Sequence, residues 1–323
     1  METKTIFDEI RERCRQVADR ARHVRIARER IPDYVSPLLA RSLLVPSLDT
    51  VSHFVGEQET TIAFFITLAA VNFGSGYFPH LRKRPEMSGY YTIATALTER
   101  FRSQGPFTAG ELAAVSAHDC ADLFCQDLAD PAMAELMSTF ADAWNDLGED
   151  LITRFDSSFS SCIEAANHTA ASLVAILSEQ SLFRDVSDYH GIEVPFFKRS
   201  QLLASDLSLA LDGRGLGRFD DLDHLTIFAD NLVPHVLRLE GILEYSQSLN
   251  QDIEAERLIP TGSDEEVEIR ACSVHAVELM IEAVAESGVN WTARNVDQVL
   301  WHRGQNPRYK KGGKRHRTRT AFY

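Results

Sequence analysis

Apolar residues recur at three- and four-residue spacing through 202–211, 274–284 and 296–301, and clean alternation of apolar with polar positions is nearly absent. That spacing puts apolar side chains along one stripe of a helix, so a chain like this builds its core by packing helices on one another. Ile192-Glu193-Val194 is the one short piece that reads as strand, and Pro195 closes it. The fold class expected is therefore mainly α. Several boundaries follow from end signals. Thr108-Ala109-Gly110-Glu111 and Ser263-Asp264-Glu265-Glu266 have capping-box spacing, in which a hydroxyl and a carboxylate satisfy backbone donors reciprocally. The second predicts a long helix running to about Glu286 and stopping at Gly288; Thr292 and Gly304 predict the start and end of the next. Pro234 interrupts a helical pattern, so 225–230 and the stretch from His235 are expected to be separate helices joined by a turn. The segment from Asp212 to Gly217 holds three alternating glycines, but no strand precedes it, and a helix connection explains it better than a dinucleotide loop.

With 323 residues and 44% hydrophobic content, the chain is long enough to bury a substantial core. Neither an internal repeat nor a low-complexity linker divides it. One helical unit is expected, with lobes at about 1–183 and 184–323 as the finer division. The longest apolar run, 62–71, is broken only by Thr67 and falls well short of the roughly 20 residues a spanning helix needs. The first residues are charged and lack an apolar signal core. Cys14, Cys120, Cys125, Cys162 and Cys272 are scattered without a paired motif, which fits a reducing compartment. A cytoplasmic protein with no membrane partner is the expectation.

The net charge of −14 speaks against broad nucleic-acid binding. The charge is uneven, however. Residues 308–323 carry three Lys, four Arg and no acid, which leaves −21 (−14 minus 7) on the rest. This basic C-terminal arm reads either as a solvated tail or as a segment docked by Phe322 and Tyr323, with Arg317 or Arg319 brought near a phosphate. The terminal aromatics favour docking.

Polar and aromatic residues that could carry chemistry cluster in the second half. Asp230 follows Leu225-Thr-Ile-Phe-Ala and precedes Pro234; a partly desolvated carboxylate there would stabilise positive charge strongly, but from spacing alone a turn residue accounts for it better. Asp297 and Trp301 lie four apart on one helix face and would suit a flat, cationic or donor-rich ligand, or else be a solvated acid and a core indole. Lys198 and Arg199 follow Phe196-Phe197 at a helix start, where positive charge binds phosphate, or else one side chain snorkels and the other makes a surface ion pair. Glu265, Glu266 and Glu268 read as structural first-turn acids, with Arg270 pairing to one of them. His118-x-Cys120-x4-Cys125 has ligand types without a metal-site spacing, and both thiols are expected to be buried. Neither a metal nor a cofactor is expected.

Taken in order, these segments resemble the queuosine salvage proteins. The resemblance is carried by Phe196-Phe-Lys-Arg-Ser-Gln-Leu-Leu-Ala-Ser-Asp-Leu207, Leu225-Thr-Ile-Phe-Ala-Asp-Asn-Leu-Val-Pro234, Gly262-Ser-Asp-Glu-Glu-Val-Glu-Ile-Arg270 with Ala276-Val-Glu278, and the Asp297 to Trp301 element. Val71-Asn-Phe73 and Gly89-Tyr-Tyr91 fit weaker blocks. The resemblance implies a compact helical fold similar to helical DNA glycosylases, without cofactor. It implies hydrolysis of the N-glycosidic bond of queuosine 5′-monophosphate, releasing queuine, a 7-deazaguanine base, for salvage into tRNA modification. It implies Asp230 as the catalytic carboxylate and Lys198 as a phosphate contact. Substrate contacts at His53, Phe228, Asn231, Asp297, Trp301 and the C-terminal Tyr323 are further expectations. One departure stands out: Asn231-Leu232 occupies the place of a Tyr-Arg pair in the family pattern. The expected partners are a nucleotide substrate and the queuine product, with no stable nucleic-acid partner. The rival readings are a helical nucleic-acid-binding module using the basic arm, and a glycosylase acting on polymeric nucleic acid.

Overall fold

The computed structural model describes residues 4–39, 46–285 and 287–323. In chain order its helices are α1 (Ile6–Ala18), α2 (Ile31–Leu39), α3 (Gln58–Ala70), α4 (Gly89–Gln104), α5 (Ala109–Leu112), α6 (Ala117–Phe124), α7 (Pro131–Arg154), α8 (Phe159–Glu164), α9 (Ala170–Leu177), α10 (Lys198–Ala210), α11 (Leu232–Leu239), α12 (Gln247–Glu254), α13 (Asp264–Ala285), α14 (Ala293–Gln305) and α15 (Pro307–Lys311). The strands are β1 (Val24–Ile26), β2 (Val186–Tyr189), β3 (Ile192–Pro195) and β4 (Leu243–Tyr245). The fold is mainly α, as the spacing predicts. The described chain divides into two compact units, each assembled from separated stretches.

The first unit comprises the described residues of Met1–Pro46, Asp185–Lys198 and Asp221–Arg319. Its centre is α13, buried nearly all round and flanked by α1, α2, α11 and α14. Two ribbons complete it. β1 pairs antiparallel with β4, and β2 with β3. The β2–β3 turn places His190 and Gly191 at φ 51° and 80°, the twist that closes a two-residue hairpin. The charged residues of α13 are structural in the way burial requires. Glu268, fully buried, accepts the backbone N–H groups of Arg22, His23 and Val24 at 2.6–3.0 Å and the Tyr189 hydroxyl at 2.8 Å. A buried carboxylate needs this many donors to offset its lost hydration. Ser263 Oγ accepts Glu266 N–H, and Glu266 in turn accepts the N–H of Gly262. The predicted end of this helix at Glu286 lies outside the described residues.

The second unit comprises Ser47–Arg184, Arg199–Asp220 and Thr320–Tyr323. The apolar run 62–71 is its core: α3 is buried from Thr61 through Ala70. Trp144 on α7 donates its indole N–H to Thr67 O (2.9 Å). Arg199, buried, donates to Ala69 O and Ala70 O at the C-terminal end of α3 and to Leu182 O, and lies over the Phe183 ring at 4.2 Å. A guanidinium at a helix C-terminus satisfies carbonyls left over by the helix and complements its dipole. Arg199 is therefore a core strut of this unit. Thr108 and Ser116 both close capping boxes, at α5 and α6.

Three expectations need correction. Residues 225–230 form no helix; the stretch is irregular and α11 begins at Leu232, with Pro234 in its first turn. A proline is tolerated there because the N–H it lacks would have no helical partner. Gly304 does not end α14, which runs to Gln305. Its reason is packing: a Cβ at Gly304 would lie 2.4 Å from Leu232 Cδ1. Cys125 is exposed at the left-handed residue that caps α6, whereas Cys120 is buried as expected, its thiol pushed up to about 12 by desolvation.

Candidate active site

The segment 225–231 of the first unit has no regular structure, yet it is nearly all buried. From 225 to 237 every residue is buried except Asp230, which alone reaches solvent in part. Buried irregular backbone must find its partners elsewhere, and here they come from distant side chains. Arg11 donates to His224 O (2.8 Å) and Leu225 O (3.2 Å). Ala229 N–H closes back on Ile227 O at 3.1 Å, a tight turn about Phe228. Phe228 N–H donates to Asp297 Oδ1 on α14 (2.9 Å). Arg270 Nε on α13 donates to Ala229 O (3.1 Å).

Asp230 closes this loop onto α11. Its Oδ1 accepts the N–H groups of Leu232 (2.7 Å) and Val233 (3.0 Å), the first donors of the helix. The positive end of the helix favours a carboxylate at this place. Both hydrogen bonds fall on Oδ1, so Oδ2 carries none among the described residues. The residue is thus both a cap, at the turn its spacing suggests, and a carboxylate that reaches solvent in part. Arg315 of the basic arm lies close enough for its charge to be coupled to Asp230; burial lowers the Arg315 pKa and Asp230 partly offsets this.

Asn231 and Leu232, where the family pattern departs, are both buried. Asn231 Nδ2 donates weakly to His316 O (3.4 Å), and Leu232 fills the space left by Gly304. Asp297 is 5% exposed, so it is no solvated acid. Trp301 is half-buried, edge-on to His302. Lys198 is buried, and its N–H donates to Asp185 Oδ2 (3.1 Å). The structure brings Phe228 and Asp297 into direct contact. It links Lys198 to the Asp230 loop through Asp185 and Arg270, whose guanidinium grips Asp185 at 2.7 and 2.8 Å. The pairing expected between Arg270 and a first-turn glutamate exists at 3.6 Å to Glu266, but Asp185 is the closer partner.

His53 and Tyr323 belong to the second unit. His53 is buried against Phe64 and Phe65, with Nε2 at 2.6 Å from the Tyr90 hydroxyl. Burial pulls its pKa below the ordinary value and raises that of Tyr90. The chain terminus is docked: Tyr323 is buried and its carbonyl accepts Gly74 N–H (3.0 Å), beside the Val71-Asn-Phe73 block. Residues 308–319 of the arm pack with the first unit, where His316 and Thr318 are buried, and Ile259 N–H donates to Arg317 O (2.8 Å). The solvated-tail reading of the arm is therefore set aside. Asp185 and Arg315 carry no local motif, and Tyr90 lies in the weaker Gly89-Tyr-Tyr91 block. They are joined to the site residues only by folding.

The fold and the loop together define a mainly helical protein that presents one carboxylate from a pinned, buried segment. The family described as "Queuosine salvage protein" matches residues 52–323. The chain is 37% identical over 317 residues to the queuosine 5′-phosphate N-glycosylase/hydrolase of Sphaerobacter thermophilus, covering 96% of each chain. The proteins of the same name from Dictyostelium discoideum and Mus musculus are 37% and 31% identical over 218 and 246 residues. Those matches cover 67% and 73% of this chain and 66% and 72% of theirs. The chain belongs to the queuosine salvage protein family. Among the described residues no helix is long and apolar enough to cross a membrane.

Proposed function

We propose that this chain hydrolyses the N-glycosidic bond of queuosine 5′-monophosphate and releases queuine for salvage into tRNA modification. The family membership supports the reaction. The observation that carries the residue assignment is Asp230, the one part-exposed residue of the buried run 225–237, with Oδ1 committed to α11. Cleavage passes through an oxocarbenium-like sugar, and an anionic oxygen held in a partly desolvated place stabilises that cation more than water does. Asp230 Oδ2 serves this purpose. Because Oδ1 is fixed by two backbone donors, the carboxylate needs little reorganisation as charge develops.

The leaving base is difficult to expel, since a 7-deazapurine has carbon where guanine has its basic N7. Contacts to the base must then do part of the work. Phe228, whose backbone is held by Asp297, offers an aromatic surface for the flat ring, and Asp297 and Trp301 share one face of α14. Asn231 flanks Asp230 at the start of α11. Lys198 provides the cation for the 5′-phosphate. The substrate is a free nucleotide of the cytoplasm, and no stable nucleic-acid partner is required.

The test is Asp230→Asn. The variant should bind queuosine 5′-monophosphate and release almost no queuine; near-normal release would refute the assignment.

A further inference from the structure

A buried ion pair of the first unit, Asp185 with Arg270, has no part in the chemistry above. The residues are 2% and 0% exposed. The guanidinium meets both carboxylate oxygens, at 2.8 and 2.7 Å, and its Cζ lies 3.9 Å from the Phe196 ring centre. Its third edge, Nε, donates to Ala229 O (3.1 Å), the carbonyl immediately before Asp230. On the other side, Asp185 Oδ2 accepts the backbone N–H of Lys198 (3.1 Å), and Asp185 O accepts that of Phe196 (2.9 Å). Between them Phe197 takes φ 47°, a left-handed conformation a bulky residue adopts only when its surroundings impose it.

A buried ion pair is a poor device for stability alone, because an apolar pair of similar volume often does as well. What a bidentate guanidinium adds is fixed geometry. We propose that Asp185 and Arg270 form a positioning pair that holds the Asp230 loop and the Lys198 backbone in register, so that the carboxylate meets the sugar while the cation meets the 5′-phosphate. This rests on the roles given above to Asp230 and Lys198. A lysine at 270 would keep the charge but could not span Asp185 and Ala229 O in one plane.

The experiment is a double-mutant cycle of Arg270→Lys with Asp230→Asn in the full chain. kcat and KM are measured per mole of folded protein on queuosine 5′-monophosphate and on queuosine, and residual rates are read in single turnovers at high enzyme. Arg270→Lys should lower kcat about 100-fold, the cost of displacing a reacting group by about 1 Å. It should also raise KM more for the phosphorylated substrate. In the Asp230→Asn background it should lower kcat no further, because the group it positions is already gone. A kcat unchanged per folded molecule, or losses that simply multiply, would overturn the proposal. Asp230→Asn alone separates the two ideas. If it turns over normally, the Asp230 reading falls and takes this proposal with it; if it is inactive while Arg270→Lys keeps its kcat, only the positioning pair falls. Should Arg270→Lys fail to fold, Phe196→Leu removes the ring that sets the guanidinium plane and leaves the ion pair in place. It should show the same non-additive loss, and an unchanged kcat would again overturn the proposal.

Discussion

Asp230 has two duties, and substitution separates them. Oδ1 accepts two N–H groups of α11 at 2.7 and 3.0 Å, a role that needs an acceptor but no charge. Asn keeps that acceptor. Its stability cost is the charge–dipole part alone, about 0.3–1 kcal/mol, or about 2 °C or less in Tm. Ala removes the acceptor and costs about 1–2 kcal/mol, as loss of an N-terminal cap does, hence about 2–4 °C. At the sugar the order differs. Both substitutions remove the anion, and both should lower queuine release by about 100-fold or more. The assay pairs thermal unfolding with chromatographic detection of queuine. The expected result is wild type and Asn close together in stability with Ala below them, and Asn and Ala together far below wild type in activity. If Asn released queuine at near the wild-type rate, the catalytic role would be refuted; if Ala were as stable as wild type, the capping role would be.

Other consequences follow from particular contacts. Lys198→Ala should raise KM for queuosine 5′-monophosphate more than for queuosine, and equal changes would remove the phosphate role. Gly304→Ala brings a Cβ to within 2.4 Å of Leu232 Cδ1 and should cost about 1–3 kcal/mol of stability by overpacking, which urea titration would detect. Burial lowers the pKa of His235 to about 4 and of His316 to about 3. The unfolded chain therefore binds protons that the native one refuses. Their contribution is complete above about pH 6.5 and is lost as pH falls toward 4 for His235 and toward 3 for His316, so Tm should drop between pH 7 and pH 5; a constant Tm would contradict it.

Helices with local signals were legible in the sequence. Thr108, Ser263 and Thr292 act at the helix starts where their spacing put them, because a side-chain cap is written within four residues. The segment 225–230 was not legible as an irregular loop. Its apolar residues have helical spacing, but its backbone partners are Arg11, Arg270 and Asp297, the last 69 residues distant. Asp185 carries no local signal for the same reason: its partner Arg270 lies 85 residues away, while nearer glutamates offer the guanidinium a local alternative. Cys125 reads as a small apolar residue, yet it occupies a left-handed helix cap and so faces outward. Residue chemistry made Asp230 a turn residue and resemblance made it a catalyst; its two carboxylate oxygens, one bonded and one open, accommodate both.

The most direct measurement incubates the purified chain with queuosine, with queuosine 5′-monophosphate and with queuosine-containing tRNA, and follows free queuine. Release should be fastest from the 5′-monophosphate, much slower from the nucleoside and absent from the tRNA. Release from tRNA, or none from the nucleotide, would contradict the account.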